Sequence, residues 1–253
     1  MEKDQAFNDF IKDGNRAFKG WDFSFLTETG RTSSNVLSWS YGSMAIPLTR
    51  NTDCMLDMGT CGGEFLSLLH PLSASVFATE GYGPNVAIAK ARLEPLGVQV
   101  TFIEDDNNLP FADNQFSLIL NRHESYSPFE LRRILNKHGV FLTQQVGGSD
   151  CSEINKALGV PVNGEFSEWN LQLVTKELEN HDFQILFAKE EFPVTRFYDI
   201  GALIYYLHAI SWQVPGFSVT KYEHKLFDIH QDIQKNGYFE ARQHRFIVKA
   251  RKI

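Results

Sequence analysis

A chain of 253 residues, 43% hydrophobic and 22% charged, has the composition of a globular protein long enough to bury a substantial core. Its formal charge of −7 removes any general attraction to nucleic acid or anionic membrane, so RNA could be reached only through a local basic groove. Cys54, Cys61 and Cys151 have neither metal-ligand spacing nor an even disulfide framework, so we expect no metal site and reduced thiols in a cytoplasmic protein. The first five residues, Met-Glu-Lys-Asp-Gln, lack the apolar core of a secretory signal. The longest apolar run, Ile200 to Ile210, is interrupted by His208 and is far short of the roughly 20 residues a bilayer-spanning helix needs. A helix closing over the core is expected there.

Residues 1–47 show no strand alternation. Helical spacing from Ala6 and aromatic, turn-broken stretches around Trp21 and Trp39 predict helices and loops lying over one end of a sheet. Alternation then predicts strands at 54–58, 75–80, 99–104, 116–121 and 139–146, with helices at 63–70, 84–95 and 128–136 between them. Beyond Ser152, helices are expected at 152–158 and 168–181, and a sixth strand from Asp182. Helices at 199–211 and 220–236 follow, and a last strand covers 242–251 with Lys249, Arg251 and Lys252 at a solvated end. The fold class is therefore α/β, a doubly wound and mostly parallel sheet. The expected domains are an N-terminal segment, 1–47, covering the site, and a sheet domain, 48–253, with a helical cap inserted at about 195–238.

The most informative stretch is Asp53-Cys-Met-Leu-Asp57-Met-Gly59-Thr60-Cys61-Gly62-Gly63-Glu64. An apolar strand ends in Asp57, turns through glycines and enters a helix, which is the arrangement of a nucleotide-type loop. Gly59-Thr60-Cys61 breaks the G-x-G-x-x-G needed for a dinucleotide, which disfavours a nicotinamide-dependent reductase. An acid two residues before the first glycine suits a ligand with an amino group or positive charge, such as S-adenosylmethionine.

These residues resemble the first motif of class I S-adenosylmethionine-dependent methyltransferases, in the group with the small methyltransferase domain of ubiquinone-biosynthesis-type enzymes. Cys61 stands where that motif has its middle glycine, and Ser117 where the family often has Asp. The resemblance implies a seven-stranded Rossmann-like sheet whose final strand is antiparallel between strands five and six. It assigns Asp57, Gly59, Thr60, Cys61 and Gly63 to the cofactor loop. Glu80, 21 residues after Gly59, is assigned to the ribose hydroxyls. Asp105 would accept from the adenine amino group and the Asp106 backbone would face the ring.

Asp57, Glu80, Asp105 and Asn121 all fall at carboxyl ends of strands, where ligands bind in such sheets. After the fourth strand, Asn121-Arg122-His123-Glu124-Ser125-Tyr126 puts polar side chains at the mouth of the cleft. His123 is the candidate base, with Glu124 orienting it or acting alone; otherwise His123 caps a turn and Glu124 pairs with a neighbour. Arg31 would bring a cation to the cofactor carboxylate, or lie on the surface. Trp21, Trp39 and Tyr41 would form an aromatic wall, or anchor a helix to the core. Tyr205, Tyr206, Trp212 and Phe217 carry the same two readings. The function expected is methyl transfer to an oxygen or nitrogen of a small-molecule acceptor. An RNA methyltransferase and an inactive S-adenosylmethionine-binding protein are the alternatives.

Overall fold

The computed structural model describes residues 4–18, 23–69 and 72–253. In chain order its strands are β1 (Thr32–Ser34), β2 (Cys54–Met58), β3 (Ser75–Glu80), β4 (Val98–Phe102), β5 (Phe116–Arg122), β6 (Leu135–Val146), β7 (Phe183–Glu191), β8 (Val194–Phe197), β9 (Phe239–Arg242) and β10 (Arg245–Lys252). Its α-helices are α1 (Gln5–Gly14), α2 (Ser24–Thr27), α3 (Tyr41–Thr49), α4 (Glu64–Ser67), α5 (Gly83–Leu93), α6 (Pro128–Ile134), α7 (Ser152–Leu158), α8 (Leu171–Asn180), α9 (Ile200–Ala209) and α10 (Val219–Asn236).

Two units interleave along the chain. One comprises Ser38–Val146, Trp169–Glu190 and Arg245–Ile253; the other comprises Met1–Leu37, Gly147–Glu168 and Glu191–His244. The expected boundary at 47/48 therefore differs from what is found, because α3 belongs with the large sheet and the second unit draws on three separate stretches.

The first unit holds a seven-stranded sheet in the order β4-β3-β2-β5-β6-β10-β7. The pairs from β4 to β6 are parallel, and β10 runs antiparallel to β6, with Ile247 opposite Gln144. This is the expected seven-stranded, mostly parallel and doubly wound sheet. Side chains alternate between two buried faces. Leu56, Ile119, Phe141 and Val248 join one core with Leu131, Val174 and Leu178, whereas Met55, Leu118, Leu120 and Ile247 join another with Ala45, Leu66, Ala89 and Leu93. Burial on both faces is what makes these strands read as near-continuous apolar runs. The chain winds outward from β2 in both directions, through β3 on one side and β5 on the other. The ends of β2 and β5 therefore form the switch point where such sheets take ligands.

The second unit packs α1, α7, α9 and α10 around one core that includes Phe7, Ile154, Leu203, Leu226 and Ile233. Nearly every residue of α9 is buried, as expected for its unbroken apolar run. Its crossing with α1 is close: a Cβ on Gly14 would stand 2.6 Å from the Gly201 carbonyl, and one on Gly201 would stand 2.6 Å from the Phe10 carbonyl.

Three expectations are corrected here. A small antiparallel sheet, β1-β8-β9, occupies ground assigned to helices and loops; Thr32–Ser34 has no apolar alternation, and its pairing with Thr195–Phe197 is carried by the backbone. The single last strand divides in two, because Phe239–Arg242 pairs with β8 while Arg245–Lys252 pairs with β6. Lys252 is not solvated: its buried Nζ donates to the Leu135 carbonyl at 2.6 Å and to Asn114 Oδ1 at 2.9 Å. Among the described residues no helix is long and apolar enough to cross a membrane.

Candidate functional site

The turn after β2 is shaped by its hydrogen bonds. The Thr60 amide donates to the Thr79 carbonyl at 2.9 Å, tying the loop to β3, and the Gly63 amide donates to the Thr60 carbonyl at 2.8 Å. Gly59 sits at φ +65 with the Glu124 side chain packed directly on its Cα, so a side chain there would collide with Glu124. Cys61, standing at the middle-glycine position, also adopts the left-handed conformation, at φ +54. That geometry costs an L-residue about 1–2 kcal/mol and would cost glycine little. The substitution therefore strains the loop while keeping the path that glycine would take.

Carboxyls gather around this turn. Asp57 ends β2 with 5% of its surface exposed, and burial pushes its pKa up to about 7. Glu80 ends β3 and is also buried; Oε1 accepts from the Tyr82 amide at 2.8 Å, while Oε2 has no partner among the described residues. Burial pushes Glu80 up too. Glu124 rises to about 7 through burial and then through the charges of Asp106 and Glu80. Asp106 is raised by burial despite accepting a hydrogen bond from the Ser125 hydroxyl. The Cys61 thiol lies in the field of Glu80, Glu124, Asp57 and Glu64, and burial with these charges pushes it up to about 12, which makes it inert as a nucleophile. Each of these acids is raised first by burial, which makes ionisation costly, and a cationic ligand would offset that cost.

Not every expected site residue points to a ligand. Asn121 is fully buried, and its Oδ1 accepts from Thr143 Oγ1 at 2.9 Å and Gln145 Nε2 at 2.8 Å. Gln145 Nε2 also reaches the Glu124 carbonyl at 3.0 Å. Asn121 is therefore a strut that fixes the segment carrying Glu124, which corrects its assignment as a cofactor contact. Asp105 is exposed, and its Oδ1 accepts from both the amide and the side chain of Asn107, at 2.8 and 2.9 Å. Arg31 lies in the other unit, where it pairs with Asp13 at 2.7 Å and Asp199 at 3.1 Å and stands over the Phe25 ring. Its guanidinium is committed to holding α1, α2 and the start of α9 together.

His123 is the main correction. Trp39 Nε1, which can only donate, contacts Gln144 Oε1 at 2.8 Å; Gln144 must therefore present its amide hydrogens to His123 Nε2, 3.0 Å away. That nitrogen carries the lone pair, so the proton of neutral His123 is on Nδ1. Burial and the charges of Arg245 and Arg122 hold the imidazole well below its usual pKa, although its outer face is open to solvent. With one nitrogen bonded and the other already protonated, His123 has no lone pair to offer as a base. It is a hydrogen-bond donor. Its backbone is left-handed at φ +62, pinned by its amide bond to the Gln144 carbonyl at 2.8 Å.

The aromatic expectations divide. Trp39 serves the relay to His123, and Tyr41 is buried against Phe65 with its hydroxyl directed at the Leu142 carbonyl. Trp21 lies outside the described residues. Tyr205 is in the core of the second unit against Phe25, Tyr206 packs on Phe197, and Phe217 stacks on Tyr222. Trp212 is 44% exposed. Sequence reading missed Gln144 and Gln145, the residues that set His123 and Glu124. Two consecutive glutamines closing an apolar strand were the available signal.

Residues 56–143 match the family model described as a methyltransferase domain, and the sheet order has the arrangement of the class I fold. Solved structures share the architecture at low identity. One, described as a candidate methyltransferase from Bacillus halodurans C-125, is 17% identical over 83% of this chain and 98% of its own, with a TM-score of 0.58. The [4+2]-cyclase SpnF is 18% identical over 86% and 85%, at 0.52. A geranyl diphosphate methyltransferase in complex with GPP and sinefungin is 15% identical over 83% and 77%, at 0.50. No curated protein matches the chain.

Proposed function

We propose that the protein is an S-adenosylmethionine-dependent methyltransferase acting on an oxygen or nitrogen of a small-molecule acceptor. The observation that carries this reading is the crowd of carboxyls around the glycine turn, with Asp57 and Glu124 both raised to about 7 and Glu80 Oε2 buried without a partner among the described residues. A ligand with an ammonium and a sulfonium answers that charge, and ribose hydroxyls answer the empty acceptor on Glu80. The family match over 56–143 supports the same cofactor, as does the neighbour whose structure contains sinefungin.

When bound, S-adenosylmethionine supplies an electrophilic methyl on a good leaving group. The chain's own work is then alignment and exclusion of water. Asp57 and Glu124 hold positive charge against Gly59, Glu80 fixes the sugar, and the Asn121–Gln145 strut keeps Glu124 in place. Cys54, Cys61 and Cys151 as reduced thiols fit a cytoplasmic setting.

The cyclase among the structural neighbours gives a second reading its footing, because this fold can serve chemistry other than methyl transfer. The deciding experiment is calorimetry with S-adenosylmethionine and a dinucleotide control, followed by transfer of labelled methyl into fractionated metabolite and RNA pools. Binding and a labelled small molecule are expected. Absence of binding refutes the cofactor, label in RNA favours the macromolecular acceptor, and binding without any labelled product favours the second reading.

A further inference from the structure

The Trp39–Gln144–His123 relay does something the cofactor does not require. It forces one tautomer on a histidine whose ring reaches solvent, and it does so from a buried amide that is itself oriented by a donor-only indole. His123 Nδ1–H has no hydrogen-bond partner among the described residues. The donor is held on a strained backbone position at the carboxyl end of β5, and strain of this kind collects at sites of ligand contact.

The charges that act on its ring have one sign. Arg122, the preceding residue, is exposed and stands 5.4 Å above the Phe65 ring, with no hydrogen bond or ion pair among the described residues. Arg122 is level with Gln144 across β5 and β6, and Gln144 is level with Ile247 on β10, two residues from Arg245. Arg122 and Arg245 are the charged groups acting on His123, and both are positive. The acids around Gly59 form the negative part of the same switch point, and Arg122 is felt by Asp57 as well. Positive and negative groups are therefore sorted within one edge of the sheet.

We infer that His123 Nδ1–H and the Arg122 guanidinium together form a binding point for a carboxylate. The proposal rests on the methyltransferase reading and deepens it. A fixed neutral donor beside a guanidinium suits a carboxylate, whose two oxygens accept without needing a proton removed. Two ligands can bring that group: an organic-acid acceptor, or the amino-acid end of the cofactor. Trp39 and Gln144 are positioning residues that act through His123.

The test is nitrogen NMR of the His123 ring in the full-length protein. The wild type is expected to show the Nδ1–H tautomer from pH 5 to 8 without titrating; an Nε2–H tautomer, or titration near the ordinary imidazole value, overturns the proposal. S-adenosylhomocysteine is then compared with 5′-methylthioadenosine, which lacks the amino-acid end, and benzoate is added at millimolar concentration to the free protein and to each complex. A shift of the Nδ1 signal with S-adenosylhomocysteine alone identifies the cofactor carboxylate as the occupant, and a shift with benzoate identifies an acid acceptor. If neither moves the signal, there is no carboxylate point. Arg122→Met is expected to weaken the responding ligand about tenfold, and an unchanged affinity overturns the pairing. Gln144→Glu should place a proton on His123 Nε2 and restore a visible titration, which a merely structural glutamine would not do. Failure of the cofactor reading is seen separately, as neither nucleoside shifting the Gly59 and Glu80 amides.

Discussion

Cofactor affinity should rise steeply with pH below neutrality. Asp57 and Glu124 both sit at about 7 in the free protein, so each is about nine-tenths protonated at pH 6 and half protonated at pH 7. A cationic ligand binds the ionised forms and must release those protons. Each group then contributes about fivefold to the affinity gained over that single unit, and the two together about thirtyfold. The window stays below the titration of a free α-amino group, so the ligand's own charge is constant. Calorimetry of S-adenosylmethionine binding at pH 6.0, 6.5 and 7.0, in buffers of different ionisation enthalpy, measures both the affinity and the protons released. Asp57→Asn should cut the dependence to the fivefold of one group. A flat affinity, or proton uptake on binding, would refute the reasoning. The unliganded protein should run the other way. A carboxyl with a raised pKa binds more protons in the native state than in the unfolded chain, so its stabilising effect is full below about pH 4 and fades as pH rises through 7.

Three substitutions test other parts of the argument. Glu80→Ala should weaken the cofactor by roughly 1.5–3 kcal/mol through lost hydrogen bonds from the ribose, and an unchanged dissociation constant removes Glu80 from the site. Cys61→Gly should stabilise the protein to urea by about 1 kcal/mol by relieving the left-handed backbone at φ +54; a loss of stability would mean that the thiol's packing outweighs the strain. Gly201→Ala places a Cβ 2.6 Å from the Phe10 carbonyl and should destabilise the protein by about 1–3 kcal/mol, seen as a lower urea midpoint. A midpoint at the wild-type value would show that α1 can shift freely.

Much of the sheet was legible because burial on both faces writes itself into apolar runs. Cys54–Met58 and Ser75–Glu80 have the limits expected from their acid-ended runs, and Ser152–Leu158 is the helix expected between Cys151 and Gly159. Thr32–Ser34 and Val194–Phe197 were not legible, because a three- or four-residue strand owes its existence to a partner more than 160 positions away. Shorter but still non-local separations hide the chemistry of the site. Asn121 reads as a ligand at a strand end until Thr143 and Gln145 are seen to occupy its oxygen. His123 reads as a base until Trp39 and Gln144 fix its proton. Sequence gives the residue type at a position; whether its lone pair is available depends on two further residues, and no periodicity links them.

The interleaving of the two units limits how the chain can be shortened. No single cut frees either unit whole, since each is assembled from three stretches. A protein ending at Val146 would keep the glycine turn and Glu124, yet it would lose the β10 residues that face Val140–Val146. The exposed row of amides and carbonyls along β6 would then be open to strands of other molecules, so such a fragment should precipitate rather than persist as a minimal cofactor-binding piece.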